Sequence, residues 1–132
     1  MTTTTIEPRG PFSLRESATL GFGHRHDIGY DGVMRMAFCL DSYAESWARN
    51  MAKKQRMYHQ ELGPILSKCK LSQVGENIAF GYPSGKAVTK AWIASPPHKA
   101  NLLNKRHRLI GVGAVQDSRG YWWVSEVLGR SR

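Results

Sequence analysis

Residues 84–116, SGKAVTKAWIASPPHKANLLNKRHRLIGVGAVQ, decide the fold because they change period twice. Pro83-Ser84-Gly85 opens a helix with Ser84 as its cap, and Val88, Ala91 and Trp92 form one apolar face at helical spacing. Ser95-Pro96-Pro97 stops it, since a residue before proline avoids helical geometry. Ser95 can cap a second helix, with Pro96 at the first position, where a missing N–H costs nothing. Leu102 and Leu103 face the core of that helix and Asn104 ends it. The period then falls to two. LIGVGAVQ, the turn Asp117 to Gly120, and YWWVSEVLG read as a hairpin. Alternation puts Ile110, Val112 and Ala114 on one face, and Tyr121, Trp123 and Ser125 together on one face of the partner strand.

Upstream, GENIAFGY (75–82) supplies a short strand through Ile78, Ala79 and Phe80. Residues 64–74 read as a loop with one helical turn. A helix begins near Leu40, where Leu40, Tyr43, Ala44, Trp47, Ala48 and Met51 recur at three- and four-residue steps. The stripe makes Trp47 a core residue. Asp41 and Glu45 early, with Lys53, Lys54 and Arg56 late, suit the helix dipole. The pattern predicts a helix to Tyr58 or Gln60, with Gly63-Pro64 ending whatever follows. Helices and a few antiparallel strands in this order make the chain α+β.

The chain has 132 residues, enough for one domain with a real core. Residues 33–132 are read as that domain and residues 1–32 as an irregular amino-terminal segment, broken by Pro8, Pro11 and five glycines. PFSL within it reads as a short edge strand, and Thr2 to Thr5 as a frayed end. Apolar residues make up 41% and charged residues 22%, which excludes disordered and fibrous classes. No apolar run approaches the roughly 18 residues of a membrane span. MTTTTIEPRGPFSL lacks a basic start followed by an apolar run and is not read as a secretory signal.

Lys and Arg number 19 against 10 Asp and Glu, a formal charge of +9. Residues 67–132 carry 11 basic and 3 acidic side chains, so the excess sits in that half. Such a surface attracts anionic partners, although no basic run exceeds two residues. Cys39 and Cys69 are too few for a disulfide scaffold; one bridge and two buried thiols both fit.

Three side chains carry candidate chemistry: His59 after the first helix, Glu76 entering a strand, and His98 in the first turn of a helix. A helix amino terminus disfavours imidazolium and keeps a lone pair available. Neutral imidazole plus carboxylate is a donor set that zinc accepts. Spacing alone does not bring the three together, and each has an ordinary structural reading.

MYHQ, GENIAFG, AWIASPPHKANLLNKRHRLIGVGA and YWWVSEVLG, in this order, resemble the CAP superfamily of cysteine-rich secretory and pathogenesis-related proteins in its short bacterial form. The resemblance covers about residues 40–129 and implies an α–β–α sandwich with a central cleft. By position, His59 matches the first cavity histidine, Glu76 the first cavity glutamate and His98 the second histidine. Ser95 stands where many members have a second glutamate. Cleft residues His59, Glu76, Ser95 and His98 are thereby implied, with His59, His98 and Glu76 as metal ligands for Zn2+ or another divalent cation. GFGHRHDIGYDGVM is too glycine-rich for the family's opening helix, though Met34 can take a leucine's place there. An extracellular or cell-surface location follows from the resemblance.

Three functions are in play. The first is a non-enzymatic binding module whose cleft takes a metal, lipid, small molecule or protein partner. The second is a metal-assisted hydrolase with His59, His98 and Glu76 around an open position; it lacks an HExxH helix and a second carboxylate. The third is binding of anionic polymers or nucleic acid by the basic half, with Tyr121, Trp122 and Trp123 as stacking platforms beside Arg119, of which Trp123 is read as core and only Trp122 as exposed. The binding module is preferred.

Overall fold

The carboxyl-terminal hairpin is the spine of the sheet. Residues 4–5 and 35–132 are described in the computed structural model, and the expectations for PFSL, Met34 and the rest of 1–32 fall outside them. Strands β1 (Thr4–Thr5), β2 (Arg35–Met36), β3 (Leu71–Phe80), β4 (Leu109–Gln116) and β5 (Trp122–Ser131) form one sheet in the order β1-β4-β5-β3, with β2 also against β4. The long pairings β4–β5 and β3–β5 are antiparallel, as is β1–β4, while the two-residue β2 runs parallel to β4. Thr4 and Thr5 pair with Gln116 and Val115 instead of fraying.

Helix α1 (Phe38–Lys54) lies across one face of the sheet. Its stripe is as expected: Leu40, Ala44, Ala48 and Met51 are buried, while Tyr43 and Trp47 are half-buried. Two glycines set how closely it packs. A Cβ on Gly113 would stand 2.2 Å from Glu45 N and Cα, and one on Gly111 2.3 Å from Asp41 N. The pattern of glycines in LIGVGAVQ therefore lets the α1 backbone rest on β4 without an intervening side chain. Asp41, in the first turn of α1, accepts the Val112 N–H at 3.0 Å. That N–H lies on the β4 edge between the stretches taken by β2 and β1.

The helix ends before Tyr58. Gln55 takes the left-handed conformation and its N–H returns to the Ala52 carbonyl. Tertiary contacts then override the helical pattern. Trp47 Nε1 donates to the Tyr58 carbonyl at 2.7 Å, Asn50 donates to the Tyr58 hydroxyl at 2.7 Å, and the Trp47 and Tyr58 rings meet edge to face. Residues 56–60 thus run back beside α1 without helical structure. Gly63-Pro64 begins a helix, α2 (Gly63–Lys68), with proline in its first turn, instead of ending one. Cys69 caps α2 and forms a disulfide with Cys39 in the first turn of α1.

The other face carries α3 (Gly85–Ile93) and α4 (Pro96–Leu103), with boundaries close to those read from residues 84–104. Ser84 Oγ accepts the Ala87 N–H at 3.1 Å, as its cap assignment requires. Ser95 holds the N-cap position of α4 without bonding a helix N–H. Ile110, Val112, Ala114, Val124 and Leu128 pack there with Val88, Trp92 and Leu102. The strand expected at Gly75 starts at Leu71, because β5 continues to Ser131 and supplies partners that far. Two side chains cover the outer edge of β3: Trp92 Nε1 donates to the Ile78 carbonyl at 3.0 Å and Asn101 to the Glu76 carbonyl at 3.2 Å.

Candidate functional site

Alternation along β3 turns Glu76 and Ile78 toward the α1 face, and Asn77 and Ala79 toward α3 and α4. Glu76 is no surface carboxylate: its side chain is only 1% exposed. Burial at that depth requires partners, and four are present. Oε1 accepts from His59 Nδ1 at 2.9 Å and from the Gln60 N–H at 3.2 Å. Oε2 accepts from Gln60 Nε2 at 2.6 Å and from Ser125 Oγ at 2.7 Å. Ser125 sits opposite Ile78 on β5, so the sheet register itself delivers its hydroxyl. MYHQ thereby acquires a physical role. Tyr58 ties its segment to α1, and His59 and Gln60 then reach the buried carboxylate.

His98 approaches from the other helical layer. Its Nδ1 lies 2.8 Å from Ser95 Oγ, its ring is stacked 6.4 Å from Trp92, and Asn77 Nδ2 donates to its backbone carbonyl. Burial pushes the His98 pKa down, and the neighbouring charge of His59 pushes it in the same direction. Two histidines 39 positions apart therefore influence each other electrostatically. Each has Nδ1 committed, to Glu76 or to Ser95, which leaves Nε2 of both rings available. Among the described residues no group of three His, Cys, Asp or Glu converges as a metal site. Glu76 stands behind His59 and orients its ring through Nδ1.

From His98 a groove of about 320 Å3 runs past Trp92 and Ile78 to Met57, Phe80 and Tyr82. Spacing arguments missed Gln60, Ser125 and this groove. Gln60 follows His59 directly, but only the turn at Gln55 points it inward. A second polar cluster lies on the α4 side of the sheet. Asn77 and Glu126, paired across β3 and β5, share a 3.3 Å hydrogen bond, and Asn101 donates to Asn77 Oδ1. His107, also buried, lies 3.4 Å from Gln73 Nε2.

Helices on both faces of one sheet form an α–β–α sandwich. The chain belongs to the cysteine-rich secretory protein (CAP) family, whose model matches residues 34–127. YkwD of Bacillus subtilis (strain 168) is 41% identical over 56 residues, 42% of this chain and 21% of that protein. The membrane protein YlbC of the same organism is 44% identical over 41 residues, 31% of this chain and 12% of that protein. The chain thus matches about a fifth or less of these relatives' lengths. An outer surface protein of Borrelia burgdorferi has the same fold, with a TM-score of 0.80 at 18% identity over 99% of this chain and 100% of that one. So does an extracellular SCP-domain protein of Bacillus anthracis, with a TM-score of 0.71 at 22% identity over 89% of this chain and 40% of that one. No helix among the described residues is long and apolar enough to cross a membrane.

Proposed function

We propose that the protein is an extracellular binding module whose cleft holds a divalent cation between His59 and His98. The remaining coordination positions are filled by water or by a small ligand lying along the groove. The observation that carries this reading is the matched commitment of Nδ1 in both rings, to Glu76 and to Ser95. It favours Nε2 as the free donor on each side, and the depressed His98 pKa favours the neutral, ligating form. Glu76 orients His59 and is not itself a ligand. Hydrolysis is the weaker reading, because a general base must be free to take a proton and the oxygens of Glu76 already receive four hydrogen bonds. The Cys39–Cys69 disulfide and the extracellular or outer-surface neighbours support a location outside the cytoplasm.

Calorimetric titration with zinc at neutral pH tests the reading. Binding by the wild type should vanish in folded His59→Ala and His98→Ala variants. Glu76→Gln, which disturbs only the orienting group, should weaken it by about 10- to 100-fold. No heat with the wild type, or undiminished binding by His98→Ala, overturns the proposal.

A further inference from the structure

Six large apolar side chains are exposed among the described residues, and they are not scattered. Met57, Phe80, Tyr82 and Tyr121 gather at the end of the sandwich where α1 finishes; Met36 and Phe38 lie at the opposite end, where it starts. Phe80 is the hub. Its ring centroid is 5.5 Å from that of Tyr121 and 4.2 Å from that of Trp123, and it shares the groove mouth with Met57 and Tyr82. A mobile loop would not hold such a cluster in place, but this one is braced. Asp117, buried in the β4–β5 turn, accepts from Trp123 Nε1, Gln55 Nε2 and the N–H groups of Arg119 and Tyr121. Burial alone would push its carboxyl up; these hydrogen bonds outweigh that and hold it well below the usual carboxylate range.

Around the apolar patch basic side chains outnumber acidic ones, with Arg119 paired to Asp117 at 3.6 Å and Arg49 to Glu45 at 3.1 Å. The segments that build this end, 47–58, 78–82 and 117–124, carry Arg49, Lys53, Lys54, Arg56 and Arg119. Their single acidic residue is the buried Asp117. The cations edge the rings: Arg119 lies 4.8 Å over Tyr121, Arg56 4.3 Å and Lys54 5.8 Å over Tyr58. Amphipathic rings and a methionine in the middle, with Lys and Arg at the perimeter, match the layering of a bilayer interface. There apolar groups sink below the headgroups and cations meet lipid phosphate.

We propose that this end of the molecule docks onto an anionic lipid bilayer, with Met57, Phe80, Tyr82 and Tyr121 at headgroup depth and Lys53, Lys54 and Arg119 on the phosphates. A nucleic acid fits the patch less well. Stacking needs open ring faces, whereas Phe80 is packed between Tyr121 and Trp123, and Met57 offers no stacking surface. The docking surface shares Met57, Phe80 and Tyr82 with the far end of the groove but includes neither imidazole and needs no metal, so its test is run with chelator present.

The test is flotation of the full chain with vesicles of mixed phosphatidylglycerol and phosphatidylcholine, against vesicles of phosphatidylcholine alone, over a salt series. Binding is expected only to the anionic vesicles, and weaker as salt rises. Lys53→Gln/Lys54→Gln should lower affinity by about 25-fold at low salt, and Tyr82→Ser/Tyr121→Ser by about tenfold. Phe38→Ser, an equal apolar loss at the far end, should bind as the wild type does. On the wild-type chain, vesicles should slow amide exchange at residues 81–82 and 119–122 but not at 36–39. Three results overturn the proposal: no vesicle binding at low salt, binding that the lysine pair removes while the tyrosine pair leaves it intact, or exchange protection outside this end. The second would mark plain anion attraction, of the kind a nucleic acid or polyphosphate shares.

Discussion

Replacing Gly113 with alanine plants a methyl group inside the backbone of α1. The new Cβ would lie 2.2 Å from Glu45 N and Cα and 2.4 Å from the Ala44 carbonyl carbon, all backbone atoms that no rotamer change can move. Ordinary carbon contacts begin near 3.5 Å, so the helix must retreat from β4 by more than about 1 Å. A gap of that size forfeits roughly a quarter to a half of the dispersion energy at each separated contact. Leu40, Ala44, Ala48, Met51 and Ala52 are all buried through this face of the helix. The cost should therefore exceed the usual overpacking range and reach about 3–5 kcal/mol. Against a net stability of about 5–15 kcal/mol for a domain, that is a large share. At roughly 2–4 °C per kcal/mol, the midpoint should fall by about 10 °C or more. Thermal and denaturant unfolding followed by circular dichroism measure it. Gly63→Ala is the matched control, because nothing lies within 4 Å of its Cβ. Gly63 is helical and precedes Pro64, which offsets the entropy gain of a Cβ, so the substitution should change stability by no more than about 1 kcal/mol. A Gly113→Ala protein that melts within about 2 °C of the wild type, with an unchanged denaturant slope, would refute the close-approach argument.

Two further predictions concern the same helix. Burial pushes the Asp41 carboxyl up to about 6, and nearby Glu45 adds to this while the Val112 N–H opposes it. Between the unfolded value and about pH 6 the native state holds the extra proton, so stability falls as pH rises through that window. Asp41→Asn removes the dependence and keeps an acceptor for Val112. After allowance for its half-exposed position, the variant should gain about 1 kcal/mol over the wild type near pH 8 and little near pH 4; a gain independent of pH in denaturant melts would count against the assignment. The Cys39–Cys69 bridge spans a sequence separation of 30. Loss of both thiols in Cys39→Ser/Cys69→Ser should cost about 3–4 kcal/mol in denaturant unfolding; a cost below about 1 kcal/mol would mean the closed loop is already ordered in the unfolded chain.

What could be read directly was local. The Ser84 cap, the break at Ser95-Pro96-Pro97 and the hairpin around Asp117 depend on neighbours a few residues away, and the structure has all of them. What could not be read depends on distant partners. Gln55 adopts a left-handed turn that its residue type does not favour, and its side chain is held by Asp117, 62 positions on. That turn moves His59 out of a helix and into the cleft. Residues 71–74 carry little strand signal and become strand because β5 is long enough to pair with them. Glu76 reads as an ordinary surface carboxylate until Gln60 and Ser125 are known to meet it. The cysteine pairing was undecidable for the same reason, since only the packing of α1 against α2 brings Cys39 to Cys69.

The treatment of the two outer strands has a consequence for how the protein behaves in a crowd. A strand edge with a row of free N–H and C=O groups is a template on which another chain can polymerise. On β4 the row is interrupted three times, by β2 at Leu109 and Ile110, by the Asp41 carboxylate at Val112, and by β1 at Val115 and Gln116. On β3, Trp92 and Asn101 cap the carbonyls of Ile78 and Glu76. Asp41 and Trp92 therefore guard against aggregation as well as contributing to the native fold. A sheet rich in valine and isoleucine is then less open to strand addition at these points, where a neighbouring molecule would first have to displace a bonded group.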